Sequence, residues 1–542
     1  LTGQDPGPVT HEPGPAYDAF AVADDRPWNE IALEAQTSLD PATGNLMRAI
    51  LFPGPKLFVT VHHLAIDGVS WRILLSDITK ACDQLANGQT VDLGPKSTSF
   101  HQWAHHLARH TFNDTWPDIH VRDLPRDHDG TNTYEFARSV ITTLDQQDTD
   151  ALLHKVPDVY RTQINDVLLS ALAHVLTDWA GQAAITLEGH GREEVVKSVD
   201  LSRTVGWFTT QFPVELTVAG DWGETLKSVK EQLRAVPSRG MSYTGSQLTQ
   251  VCFNYHGQWD EGSYLAPIGS DIGPDVDRGF LLDITGAVQN GELRLDWEYS
   301  SRIHDEHTVQ RLADDVMTAL REIIAHCGQS IGGRTPSDFP LVRLTQEQLD
   351  RIGPVEDIYP LTPLQAGMLF HSLADSNAYF NETRLRLTGV DEPDRLTRAW
   401  QATVDDNPVL RSSVLWDGVD EPVQIVHEHV TLPVHGEPVD LTVPPMMSLR
   451  IEPRPDGLDL IWTSHHLSLD GWSAAQVFTE VVERYAGVHT PVARRPFRDY
   501  LEWLGRQDEA EAERHWRSVL DGFEAPTPLP YSRTPHAHRA ES

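Results

Sequence analysis

The sequence predicts an α/β protein, an α+β sandwich of layered sheets and helices built more than once along the chain. Three observations predict it. A strand, turn and helix pattern occurs twice, and a different alternating series of strands and helices lies between the copies. The composition, 39% hydrophobic and 23% charged, is that of folded globular protein. At 542 residues the chain exceeds one ordinary core, so three or four compact units are expected.

In the first copy an apolar stretch from Lys56 to Val61 leads into His62-His63-Leu64-Ala65-Ile66-Asp67-Gly68. Ile73, Leu74, Ile78, Ala81 and Leu85 then recur at helical spacing, and Asn87-Gly88 stops the helix. In the second, Leu458 to Ser464 enters His465-His466-Leu467-Ser468-Leu469-Asp470-Gly471. Val477, Phe478, Val481, Val482 and Tyr485 form the matching stripe, ended by Gly487.

Between the copies the pattern predicts a strand from Phe136 to Leu144, a helix from Gln163 to Trp179, and a strand from Ala184 that ends at Glu188-Gly189-His190-Gly191. Strands at Val251 to Tyr255, Phe280 to Val288 and Glu292 to Tyr299 precede a helix from Glu306 to Cys327. Residues 328–340 are rich in Gly, Pro and Ser and read as a linker.

A formal charge of −36 excludes a general phosphate-backbone binder, which needs a basic face. Cys82, Cys252 and Cys327 are too few and too scattered for a disulfide scaffold or a zinc site, and fit a reducing compartment. No apolar run approaches a membrane span, and the first residues lack the basic and apolar regions of a signal peptide, so a cytoplasmic location is expected. The opening, without Met and rich in Pro and Gly, reads as the middle of a longer protein.

Adjacent histidines on a strand point to opposite faces, so one can enter a cleft while the other packs inward. Asp67 would organise the turn or form an ion pair, and Gly68 would let a substrate approach the backbone. Repetition of the whole pattern, each time between strand and helix, favours a functional over a structural role.

His-His-x-x-x-Asp-Gly resembles the signature of the condensation-type domains of nonribosomal peptide synthetases. That resemblance implies a chloramphenicol-acetyltransferase-like fold of two lobes around a tunnel, with the second histidine, His63 or His466, at the site. The first copy is similar to the epimerization branch. Val69-Ser70-Trp71-Arg72-Ile73-Leu74 extends its motif, and Ile164-Asn165-Asp166-Val167-Leu168-Leu169, Glu188-Gly189-His190-Gly191-Arg192-Glu193, Arg203-Thr204-Val205-Gly206-Trp207-Phe208-Thr209 and Phe253-Asn254-Tyr255-His256-Gly257-Gln258 follow in family order. The second copy follows Asp357-Ile358-Tyr359-Pro360-Leu361-Thr362-Pro363-Leu364-Gln365, which resembles the opening of a condensation domain placed after an epimerase. Asn407-Pro408-Val409-Leu410-Arg411 resembles the family's His-x-x-Leu-Arg element with Asn407 in the histidine position.

The implied organisation is an incomplete epimerization N-lobe at 1–115, its C-lobe at 116–327, a linker at 328–350 and a condensation N-lobe at 351–542. The implied activity is inversion of an L-aminoacyl or peptidyl thioester carried on the phosphopantetheine arm of a separate carrier domain. No cofactor or metal is expected on this chain. The alternatives are condensation or acyl transfer using His63 alone, and a noncatalytic carrier-docking remnant.

Inversion removes the α-proton from one face and returns one to the other, so two acid/base groups must flank the carbon. His63 and Glu188 are the candidates in the first copy, with His466 the site residue of the second. A desolvated Glu188 carboxyl would be a stronger base. Gly68, Asn254 and Gly471 are expected to position substrate or stabilise an enolate-like oxygen. Tyr255 could relay a proton or simply pack in a strand. His62, His465, Asp67, Asp470 and Arg411 are expected to be structural, with Arg411 pairing with Asp470.

The resemblance also implies an opening segment and an arginine-bearing element ahead of the first motif. Only 61 residues precede His62, so Asp67 is expected to lack its arginine partner, and part of the tunnel wall is expected to be open unless another chain supplies it. His106 and His110, and likewise His304 and His307, read as exposed-face histidines without a third metal ligand.

Overall fold

The computed structural model describes residues 19–54, 56–193, 199–259, 271–329, 332–375, 377–390 and 392–525, the side chain of Trp259 excepted. The opening read as Pro- and Gly-rich lies mostly outside them. The chain divides into two compact units, Leu1–Asp338 and Phe339–Ser542.

The first unit contains a three-stranded sheet in which Met47–Phe52 lies between Phe20–Val22 and Lys56–Val61. Its larger sheet has six strands in the order Ala137–Leu144, Glu292–Ser300, Leu282–Gln289, Val251–Trp259, Ala184–Gly189 and Thr210–Glu215. Val251–Trp259 runs parallel to both its neighbours, and the remaining pairs are antiparallel. The helices Ile164–Ala180 and Glu306–Cys327 cover one face of this sheet. Period-two alternation explains the layering: Ile185, Phe253, Ile284, Leu295 and Trp297 point into the helical layer and are buried. Leu168, Leu172 and Leu176 meet them from one helix, and Leu312, Val316 and Leu320 from the other.

Polar residues alternate with those apolar ones, so the second face of the sheet carries Glu188, Asn254, Asp283 and Glu298, all half-buried rather than sealed. His304 departs from expectation. It precedes the helix Glu306–Cys327 and is 1% exposed, with its ring edge on Trp179 and Nδ1 3.7 Å from an Asp127 oxygen. The apolar face continuing backward from that helix draws it in. His106 and His110 are exposed as expected.

Residues 332–338, read as linker, pack on the first unit. Gly333 N–H donates to the Val159 carbonyl, and Thr335 is fully buried. Lys230, 1% exposed, donates through Nζ to Asp338 at 2.7 Å and to the Tyr160 carbonyl at 2.9 Å.

In the second unit Gly457–His465 is the central strand between Phe380–Thr388 and Met447–Arg454, both antiparallel to it. A smaller sheet orders Asp357–Pro360, Val423–Val426 and Ser412–Leu415. Helices Pro393–Asp406 and Gly471–Ala486 pack on the larger sheet, where the Trp400 and Trp462 rings meet edge to face at 5.0 Å.

Candidate active site

The first histidine pair does not lie within a strand. Lys56–Val61 ends before it; His62 stays extended and accepts the Leu64 N–H on Nδ1 at 3.2 Å, capping a single 3₁₀ turn, His63–Ala65. Capping replaces strand alternation because the chain must turn here into the helix Gly68–Ala86. His62 is half-buried, while His63 is exposed and meets the Trp207 ring edge-on with centroids 5.7 Å apart.

Asp67 is the hub of the turn and is 2% exposed. One oxygen accepts the Ser70 N–H at 2.7 Å, the N-cap of the motif helix. The expected loss of its arginine partner is overturned: Arg192 Nη1 and Nη2 donate to the two Asp67 oxygens at 2.9 and 3.2 Å. The arginine comes from the downstream motif Glu188-Gly-His-Gly-Arg192, so nothing ahead of His62 is needed to supply it. Arg192 also donates to Ser70 Oγ at 2.9 Å and the Thr204 carbonyl at 3.0 Å, and its guanidinium lies 4.0 Å from the Phe208 ring centre. Burial lowers the Arg192 pKa, opposed by the Asp67 carboxylate.

Close approach makes this loop possible. Gly191 has φ +62°, and a Cβ there would fall 1.7 Å from the Phe208 carbonyl oxygen. Phe208 N–H in turn donates to Asp67 at 3.1 Å, and Ser70 Oγ donates to the Gly206 carbonyl at 2.9 Å.

Glu188 lies at the end of its strand, half-buried, accepting from Gln211 Nε2 at 2.8 Å and from Asn254 Nδ2. The Asp283 carboxyl lies on the same face of the sheet. Burial pushes that carboxyl up to about 6, with the Glu188 and Glu298 carboxylates adding to the effect. Cys252, paired with Asp283 in the sheet register, has its thiol pushed up by burial. His256 is pulled down, also chiefly by burial.

Asn254 is therefore brought directly to Glu188, but Tyr255 is not. Alternation sends Tyr255 to the opposite face, with Phe253, where it packs against the helical core and over Gly286. Burial raises its phenol pKa. The proton-relay expectation for Tyr255 is corrected accordingly: its side chain belongs to the core face.

One segment links the two acid/base candidates. Trp207 touches His63, Phe208 N–H binds Asp67, and Gln211 donates to Glu188. A second link joins Arg72 of the motif helix to the His256 carbonyl on the Asn254 strand. Sequence reasoning misses Arg192, Trp207 and Gln211; Arg192 and Trp207 stand inside quoted motifs, whereas nothing in the local pattern marks Gln211. At Gly68 and Gly471 a Cβ would meet no atom within 4 Å, so both helix starts open onto free space.

In the second unit His465 is fully buried, accepts the Leu467 N–H on Nδ1 at 3.1 Å, and places Nε2 3.0 Å from Ser372 Oγ. Burial lowers its pKa. His466 is half-buried and places Nδ1 2.7 Å from the Leu469 carbonyl, which can only accept; Nδ1 is thus the donor, and in the neutral ring the lone pair falls on Nε2. Asp470 caps the helix Gly471–Ala486 through the Ser473 N–H at 2.7 Å.

The expected Arg411–Asp470 pair is not formed. Arg411, 5% exposed, donates to Glu356 at 2.6 Å and to the His427 and Glu428 carbonyls, and Asp470 is exposed. The Arg411 turn closes against the smaller sheet, away from the capping aspartate. Asn407 binds the buried Glu480, which Arg484 and Arg494 also hold. Asp406, Glu480 and His489 bring ligand atoms within 4.8 Å, but Arg484 already binds both carboxylates, so the cluster is a salt-bridge network.

The family model for the condensation domain matches residues 21–339, 355–442 and 435–542. The chain belongs to the condensation-domain family. A linear gramicidin synthase of Brevibacillus parabrevis is 39% identical over 93% of this chain and 8% of that protein. Chondramide synthase of Chondromyces crocatus is 35% identical over 96% of this chain and 16% of that protein. The chain thus spans a small part of the curated relatives it matches. Among solved structures, the epimerization domain from the third module of tyrocidine synthetase B is 33% identical with a TM-score of 0.51, covering 57% of this chain and 79% of that one. The chain is of the epimerization and condensation type found in nonribosomal peptide synthetases, with the chloramphenicol-acetyltransferase-like fold. Among the described residues no helix is long and apolar enough to cross a membrane.

Proposed function

We propose that the first unit inverts the α-carbon of an L-aminoacyl or peptidyl thioester, presented on the phosphopantetheine arm of a separate carrier domain, to the D form. The second unit would then belong to a condensation domain that accepts the D-configured donor. The observation that carries the reading is the Glu188–Asn254 pair on the open face of the sheet, tied through Trp207–Gln211 to the exposed His63.

In this reading Glu188 takes the α-proton, and the C–H electron pair moves onto the thioester oxygen. A protonated His63 returns a proton to the other face, and the reverse reaction exchanges their roles. Asn254 orients the carboxylate, and the Asp67–Arg192 pair holds the His63 turn against the loop that carries Trp207. Gly68 leaves room for the thioester, whose developing charge a helix N-terminus favours. His466 would serve the second unit as a base through its free Nε2.

The test is a carrier domain loaded with an L-aminoacyl thioester and mixed with the chain. Appearance of D-aminoacyl thioester, lost in Glu188→Gln, supports inversion. Transfer to an acceptor amine without D product would replace it with acyl transfer, and carrier binding without either reaction would leave a docking role.

A further inference from the structure

The helix Phe100–Arg109 carries two histidines one turn apart on its exposed side, His101 and His105. Their Nε2 atoms are 3.2 Å apart, and their rings meet at right angles with centroids separated by 4.5 Å. Sequence spacing directs attention to His106 and His110 instead, but His110 leaves the helix as its C-cap.

We propose that His101 and His105 form a binding site for one late first-row divalent cation such as Zn²⁺, Ni²⁺ or Cu²⁺, with water completing the coordination. Geometry is the first reason. Two imidazole nitrogens bound at about 2.0–2.1 Å lie roughly 3.3 Å apart on a tetrahedral ion and about 2.9 Å apart at adjacent octahedral positions. The observed separation falls between these values, so little side-chain movement is needed. Chemistry is the second. Without a cation, two facing Nε2 atoms can share only one proton; a cation takes the place of that proton, and each neutral ring then presents its Nε2 lone pair with the N–H on Nδ1. Imidazole suits Zn²⁺, Cu²⁺ and Ni²⁺, whereas Mg²⁺ and Ca²⁺ require oxygen ligands.

The helix is anchored on its other side. Trp103 is 3% exposed and packs with Phe208, and the Phe100 and Phe208 rings meet at 5.1 Å. Ser99 and Gln102 close a capping box at its start. A cation bridging its first and second turns would therefore stiffen the support of Phe208 and, through it, the segment that presents Trp207 to His63. This proposal does not depend on the reaction assigned to the chain.

The full chain, labelled with ¹⁵N-histidine, is titrated with zinc chloride while the ring resonances are followed; His101→Asn and His105→Asn provide the assignments. The expected result is that both rings shift together and saturate with one affinity. Each single substitution should weaken the zinc response of the remaining ring by at least about tenfold, because the second ligand acts intramolecularly. His106→Asn should leave that response unchanged. Independent titration of the two rings, or an unaltered response of one after loss of the other, would overturn the site.

Discussion

Asp67 receives both terminal nitrogens of the Arg192 guanidinium, 125 residues further along the chain, while the same carboxylate caps the motif helix. Asp470, its counterpart in the second repeat, caps its helix and is exposed. One motif position thus serves a buried ion pair in one unit and a surface cap in the other.

Removing one member of a buried pair leaves an uncompensated charge. Arg192→Met is expected to destabilise the first unit by about 3–5 kcal/mol. Asp470→Ala should cost the second unit only about 1 kcal/mol, the ordinary effect of losing a cap. Urea unfolding followed separately for the two units checks the contrast; equal losses would contradict it.

Arg411 and Asp470, partners by expectation from the sequence, do not meet. A double-mutant cycle of Arg411→Ala and Asp470→Asn should give a coupling within about 0.5 kcal/mol of zero. Arg411→Ala combined with Glu356→Gln should show clear coupling, since Arg411 donates to Glu356 at 2.6 Å.

Asp283 imposes a pH-dependent cost. Its folded pKa, about 6, lies above its ordinary value of 3.8, chiefly through burial. The unfolded chain therefore loses this proton first as pH rises. The destabilisation is absent below about pH 4, grows between 4 and 6, and is complete above that range. Asp283→Asn is expected to raise stability at pH 8 by about 3 kcal/mol and to change it little at pH 4, as unfolding midpoints at the two pH values would show. A carboxyl kept at such cost beside Glu188 fits a functional surface better than a structural one.

The strand and helix order is largely legible because the apolar periods are strong. Lys56–Val61 and Glu306–Cys327 match their expected bounds, and Ile164–Ala180 differs by one residue at each end. Spatial partners are less legible. The pattern Glu188-Gly-His-Gly-Arg192 does not show that its arginine returns to Asp67, because the pairing depends on how the loop from Arg203 to Phe208 folds over it. Tyr255 illustrates a different limit: motif membership draws it into the site, while strand alternation, visible in the same six residues, places it with Phe253 on the core face. Gln211 carries no local signal, since only the pairing of Glu188 with Gln211 across the sheet brings it near.

The last residues of the first unit offer a mechanical test. Lys230 and Asp338 are nearly sealed from solvent, and their contact holds residues 332–338 to that unit. Asp338→Ala should make this segment markedly more sensitive to limited proteolysis while the six-stranded sheet stays folded. Unchanged cleavage would show that Gly333 and Thr335 suffice to hold it.

The central claim is that two groups, Glu188 and His63, serve opposite faces of one carbon. It is tested most directly by following solvent deuterium entering the α-position from separately loaded L- and D-aminoacyl carrier thioesters. Glu188→Gln is expected to lose exchange from one enantiomer while keeping it from the other, and His63→Ala to show the opposite preference. Loss of exchange from the same enantiomer in both variants, or full exchange from both enantiomers in either one, would contradict the account.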